Sequence, residues 1–116
     1  MSRQITSPSG VQITYNPSAD ELMTDWLAER VQRAIAIVID AARGCSVDLR
    51  EIWVAGYESY EEPTREIAVN AEIETVDDEA GYAYWGAVAE PIYKLNQPLP
   101  PGTENADVTV QVSVNW

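Results

Sequence analysis

Met23, Leu27, Val31, Ala34, Val38 and Ala41 or Ala42 recur at steps of three and four residues. That spacing stacks side chains on one face of an α-helix, and no other regular structure accommodates it. The start is marked by Ser18-Ala19-Asp20-Glu21, which has the S-x-x-E spacing of a capping box. In that motif the hydroxyl and the carboxylate each satisfy an orphan amide of the first turn, while Asp20 and Glu21 oppose the positive end of the helix dipole. Gly44 supplies a stop. Glu29 and Arg33 sit at i,i+4 on the polar arc, positioned for an ion pair. The sequence therefore predicts one helix running from this capping box to Arg43, about 24 residues and about 36 Å long. Trp26, Ile35, Ile37 and Ile39 widen its apolar coverage beyond a single stripe. A flat sheet on one side leaves part of it bare, so either the sheet curls round the helix or a second copy of the chain covers the remainder.

On either side of this helix the period is two. Gln4-Ile5-Thr6 and Val11 to Tyr15 flank the turn-type cluster Ser7-Pro8-Ser9-Gly10, which predicts a hairpin with Val11, Ile13 and Tyr15 on one face; Asn16-Pro17 ends it. Ile67, Val69, Ala71 and Ile73 alternate with Glu66, Ala68, Asn70, Glu72 and Glu74, and Val108, Val110, Val112 and Val114 alternate with Thr109, Gln111, Ser113 and Asn115. Val47 to Tyr57 is a further strand, less regular because Ile52, Trp53, Val54 and Ala55 are consecutive, as in a strand covered on both faces. Residues 82–95 fit two readings. Tyr82, Tyr84, Trp85, Val88, Ile92 and Leu95 lie on a helix, yet Gly81, Gly86 and Pro91 weaken one, and Asp77-Asp78-Glu79-Ala80-Gly81 suits a hairpin turn. The strand is preferred. Gln97 to Asn105, with three prolines and a glycine, reads as a stiff connector.

The fold class that follows is α+β: one long amphipathic helix packed on an antiparallel sheet of about four to six strands. Should residues 82–95 be helical, the order becomes βαββαβ, a ferredoxin-like arrangement. A chain of 116 residues has the size of one domain with its own core, and residues 1–116 are read as one. The longest uninterrupted apolar run, Ala34 to Ile39, is too short to span a bilayer. The first ten residues resemble neither a secretory signal nor a transit peptide, and Cys45, the single cysteine, fits a reducing compartment. A cytoplasmic location is expected.

Chemistry is constrained mainly by what is missing. There is no histidine, which removes Ser-His-Asp and Cys-His catalysis and most metal-binding triads. No glycine-rich phosphate loop occurs. Cys45 follows the negative end of the long helix, a poor place for a nucleophile. The chain is expected to be no enzyme and to hold neither cofactor nor metal; Asp77-Asp78-Glu79 lacks the spacing of a dedicated calcium loop.

Charge is the remaining signal. Nineteen acidic residues face seven basic ones, a net of −12, and Lys94 is the sole lysine. Such a field repels nucleic acid and membranes and attracts basic partners, although salt adaptation produces the same imbalance. Tyr57-Glu58-Ser59-Tyr60-Glu61-Glu62-Pro63 is an acidic, tyrosine-bearing loop, and Glu66, Glu72 and Glu74 line the polar face of the strand after it. Carboxylates two residues apart lie about 6.6–7 Å apart along a strand, about twice the axial charge spacing of one nucleic-acid strand. The partner-binding residues expected are Glu58, Tyr60, Glu61, Glu62, Glu66, Glu72 and Glu74. The first functional reading is a non-catalytic protein docking on a basic protein surface, including an inhibitor that mimics nucleic acid without binding it. The second is a self-associating structural or assembly subunit, a dimer or higher homo-oligomer. The third is a small-molecule pocket between helix and curved sheet. Trp26, Trp53, Tyr82, Tyr84 and Trp85 are the candidates for that pocket or for an oligomer interface; four Trp, six Tyr and no Phe suit surfaces half apolar and half wet.

Overall fold

The structure, a computed structural model, describes residues 3–7, 10–23, 25–45, 47–58, 65–95 and 108–116. The N-terminal hairpin forms as the sequence predicts, from β1 (Arg3–Thr6) and β2 (Gln12–Tyr15), paired antiparallel with Ile5 opposite Ile13. Its turn closes where Ser7 N–H donates to the Val11 carbonyl and Ser7 Oγ accepts from Val11 N–H. Gly10 sits there at φ 88°, a left-handed conformation that a residue with a Cβ adopts only at a cost.

The single helix expected from Ser18 to Arg43 is two. α1 (Pro17–Leu22) and α2 (Asp25–Gly44) are separated at Met23, whose ψ of 121° is extended. The expected capping box is not made: Asn16 is the N-cap, without a side-chain bond, and proline occupies the first turn. Ser18 Oγ instead accepts from the backbone N–H of Gly56 at 3.1 Å. That bond has a structural reason. β2 is four residues long and β3 (Val47–Glu58) is twelve, so β3 runs past its neighbour beyond Val54 and α1 packs beside it there, with Ala19 fully buried.

β4 (Arg65–Thr75) pairs antiparallel with β3, and β5 (Val108–Asn115) pairs parallel with β4. Between β4 and β5 the chain forms α3 (Asp78–Leu95), so residues 82–95 are helical. The preferred strand reading is corrected by the burial pattern: Gly81, Tyr84, Val88 and Ile92 are the buried positions, at helical spacing. Asp77-Asp78-Glu79 is not a hairpin turn but a helix start, in which Asp77 Oδ1 accepts from Ala80 N–H at 2.8 Å and two acids occupy the first turn. Gly81 is required by close approach, since a Cβ there would lie 2.6 Å from the Trp116 indole. Pro91 forgoes a bond to the carbonyl of Ala87, which is exposed.

The α+β class holds, but the sheet is mixed, in the order β1-β2-β3-β4-β5, with β2/β3 and β4/β5 parallel. The helix-connected strands are direct neighbours, whereas a ferredoxin-like βαββαβ chain interleaves them. All three helices contribute to one core on one face of the sheet: Leu27, Val31 and Val38 of α2 and Tyr84, Val88 and Ile92 of α3 cluster with Ile13, Ile52, Val54, Ile67, Val69 and Val110. Strands that succeed one another in a row, with both crossovers on the same face and the second pair running opposite to the first, require crossovers of opposite hand. One is therefore left-handed, against the strong right-handed preference of such units.

The bare flank expected on the long helix is partly covered within the chain. Ile35 is 4% exposed, Ile37 and Ile39 are half-buried, and α3 packs alongside, where Tyr84 Oη donates to the Val38 carbonyl at 2.8 Å. Burial, and secondarily Cys45, pushes the Tyr84 phenol well above its usual range.

Candidate functional site

The helices occupy one face of the sheet; among the described residues none packs on the other. Which side chains appear there follows from register. Ile52, Val54, Ile67, Val69, Ala71 and Ile73 point into the core, so their strand neighbours Glu51, Trp53, Ala55 and Tyr57 on β3 and Glu66, Ala68, Asn70, Glu72 and Glu74 on β4 point away from it. The consecutive apolar residues 52–55 divide between the two faces, Ile52 and Val54 in the core and Trp53 and Ala55 on the other side. Ala55 and Ala68, directly opposite one another, are small enough to be shaded by their neighbours, and Trp53 is half-buried.

A register shift between Leu49 and Glu51 gives β3 one extra residue, Arg50. It allows Leu49 and Ile52, three apart, both to face the core, and it turns Arg50 and Glu51 outward. The bulge aligns like charges: Glu51 stands directly opposite Glu72 and Asp48 opposite Glu74. Opposed like charges destabilise a sheet, and two local contacts soften the repulsion. Arg50 pairs with the Glu74 carboxylate, and the hydroxyl of the buried Thr14 on β2 donates to Glu51 Oε1 at 3.4 Å. The outcome is an open face with a carboxylate block at one end and Trp53, Tyr57 and Glu66 towards the other, with Tyr57 52% exposed.

Of the expected partner-binding residues, Glu66, Glu72 and Glu74 share this face. Glu58 ends β3, but its side chain, like Tyr60, Glu61 and Glu62, lies outside the described residues. Asp48, Glu51 and Arg50 were missed, because their placement depends on the bulge and on which strands pair. The expected aromatic group is not brought together. Trp53 is on the open face, Tyr84 is fully buried between α2 and α3, and Tyr82 and Trp85 are exposed on α3; the Trp26 side chain is outside the described residues. An apolar groove of about 260 Å³ lies elsewhere, between α3 and β5, lined by Trp85, Ala89, Ile92, Tyr93, Val112 and Val114 among others.

No cluster of three or more potential metal ligands occurs among the described residues. Accordingly, EDTA or added Zn²⁺ is expected to leave the thermal midpoint unchanged, because a metal shifts stability only by binding the native state; a shift of several degrees in a calorimetric scan would contradict this. No helix of the described residues is long and apolar enough to cross a membrane. Comparison with protein-family models, curated proteins and solved structures finds no match to this chain.

Proposed function

We propose that the chain is a non-catalytic interaction protein that docks the open face of its sheet on a basic protein surface. The observation that carries the reading is the pair of directly opposed carboxylates, Glu51 with Glu72 and Asp48 with Glu74, on a face that no helix covers among the described residues. A basic partner relieves a repulsion that the isolated fold must bear. Arginine is the best complement, because a guanidinium bridges two carboxylates and also stacks on rings such as Trp53 and Tyr57. A partner whose basic groove otherwise accepts nucleic acid belongs to this class, and direct nucleic-acid binding is opposed by the net charge of −12. The cytoplasm, where a lone cysteine stays reduced, is the compartment proposed.

The test is affinity capture from the source organism's lysate at low and high salt, since attraction between surface charges is screened as the Debye length falls from about 10 Å at 0.1 M to about 3 Å at 1 M. Basic proteins held at low salt and released at high salt are expected. Capture that is indifferent to salt argues against the proposal.

A further inference from the structure

The acidic end of the open face carries a cation of the protein's own. Beyond Leu49 the β3/β4 register slips, and the extra residue, Arg50, stands opposite no residue of β4. Without the bulge, Glu51 would fall two residues from Leu49 and turn to the core side. With it, Arg50 and Glu51 both turn outward, which sets a guanidinium inside the block formed by Asp48, Glu51, Glu72 and Glu74. Arg50 pairs there with Glu74. Among the described residues of β3 and β4 it is the one cation on this face, since Arg65 adjoins Glu66 and so shares the core side of Ile67. The two side chains of the pair are 63% and 60% exposed, and pairs so wet contribute little to stability. Space surrounds them. Glu74 lines two open hollows, one of about 380 Å³ shared with Arg50, Glu72 and Asn115, and one of about 370 Å³ shared with Asp48 and Thr75.

We infer that Arg50 holds the place of a partner's arginine and must be displaced from Glu74 for the partner to seat fully. This rests on the docking of the open face proposed above. The Arg50–Glu74 pair is the intramolecular form of the contact that docking requires, a guanidinium on a carboxylate of this face. An arriving arginine finds Glu74 already taken, and Arg50, long and largely in solvent, has room to swing aside. A ligand that binds only the molecules whose site is free has its affinity reduced by that fraction. Arg50 is thereby a built-in competitor: a surface with one stray cation gains little at Glu74, whereas one dense in arginine displaces it. The bulge that crowds the carboxylates together also supplies the group that guards them.

The experiment is calorimetric titration of nona-arginine at moderate salt into wild type, Arg50→Gln, Glu74→Gln and the double variant, with Arg33→Gln as a control of equal charge. Arg33 lies on α2, in the helical layer, in an exposed pair with Glu29. Far-UV circular dichroism verifies that each variant is folded. Arg50→Gln is expected to bind at least about threefold more tightly than wild type, which corresponds to Glu74 being occupied in about two-thirds of molecules. Arg33→Gln is expected to gain much less, and in the Glu74→Gln background the gain from Arg50→Gln should fall to that of the control. Competition for one carboxylate gives this dependence on Glu74; a general change of field does not. A gain from Arg50→Gln that is the same with and without Glu74, or no gain beyond that of Arg33→Gln, overturns the role of Arg50. Wild type that fails to bind nona-arginine at all overturns the docking of the open face itself, so the two failures are told apart.

Discussion

Replacing Tyr84 with alanine is expected to lower the unfolding free energy by about 3–5 kcal/mol, the range for deleting a fully buried ring. Tyr84 is 0% exposed, and its hydroxyl reaches the Val38 carbonyl, so it joins α3 to α2 by packing and by a hydrogen bond. Tyr84→Phe separates the two contributions. It keeps the ring and removes the donor, and about 0.5–1.5 kcal/mol is expected to be lost, because the Val38 carbonyl keeps its bond within α2. The phenol also makes stability depend on pH. Burial raises its folded pKa, while in the unfolded chain it titrates near its usual value of about 10. The contribution is therefore fully present below about pH 10 and is lost as pH rises beyond it and the unfolded chain ionises. Urea melts on both sides of that value should show a steeper decline in the wild type than in Tyr84→Phe. Equal alkaline slopes for the two proteins would contradict the burial of this hydroxyl.

Glu72→Lys is expected to separate function from stability. In the fold, Glu72 faces Glu51 directly across the β3/β4 pair, so a lysine turns an opposed like-charge pair into an opposite-charge one, a gain of about 0.2–1 kcal/mol. For a basic partner the same change replaces attraction with repulsion, and binding should weaken at least tenfold. Glu74 is the less informative position because it already pairs with Arg50. A residue whose replacement strengthens the sheet while abolishing a complex serves the surface; one whose replacement weakens the sheet serves the fold.

Much of the fold was legible wherever one period ran unbroken. The hairpin, β4, β5 and most of α2 are marked by alternation or by three- and four-residue steps, and Gly44 ends α2 as expected. Legibility failed where local chemistry had two uses. Ser18 suited a capping box but bonds to Gly56 on a neighbouring strand, a contact invisible until β3 is known to outrun β2. Asp77 suited a turn but caps α3, and Gly81 weakened the helical reading although the Trp116 ring requires it. Strand order was not encoded locally at all. As for the site, the outward carboxylates of β4 follow from alternation, whereas Glu51 and Asp48 join them only through the Arg50 bulge.

The central claim, that the open sheet face and not net charge alone recruits a basic partner, is tested most directly by titrating nona-arginine into wild type, Glu72→Lys and Glu29→Lys at moderate salt. The two variants change net charge equally. Glu29 lies on α2, in the helical layer on the opposite side of the sheet, where it forms an exposed pair with Arg33 worth little to stability. Calorimetric titration is expected to give a large loss of affinity for Glu72→Lys and a small one for Glu29→Lys. Equal losses for the two variants would contradict the account.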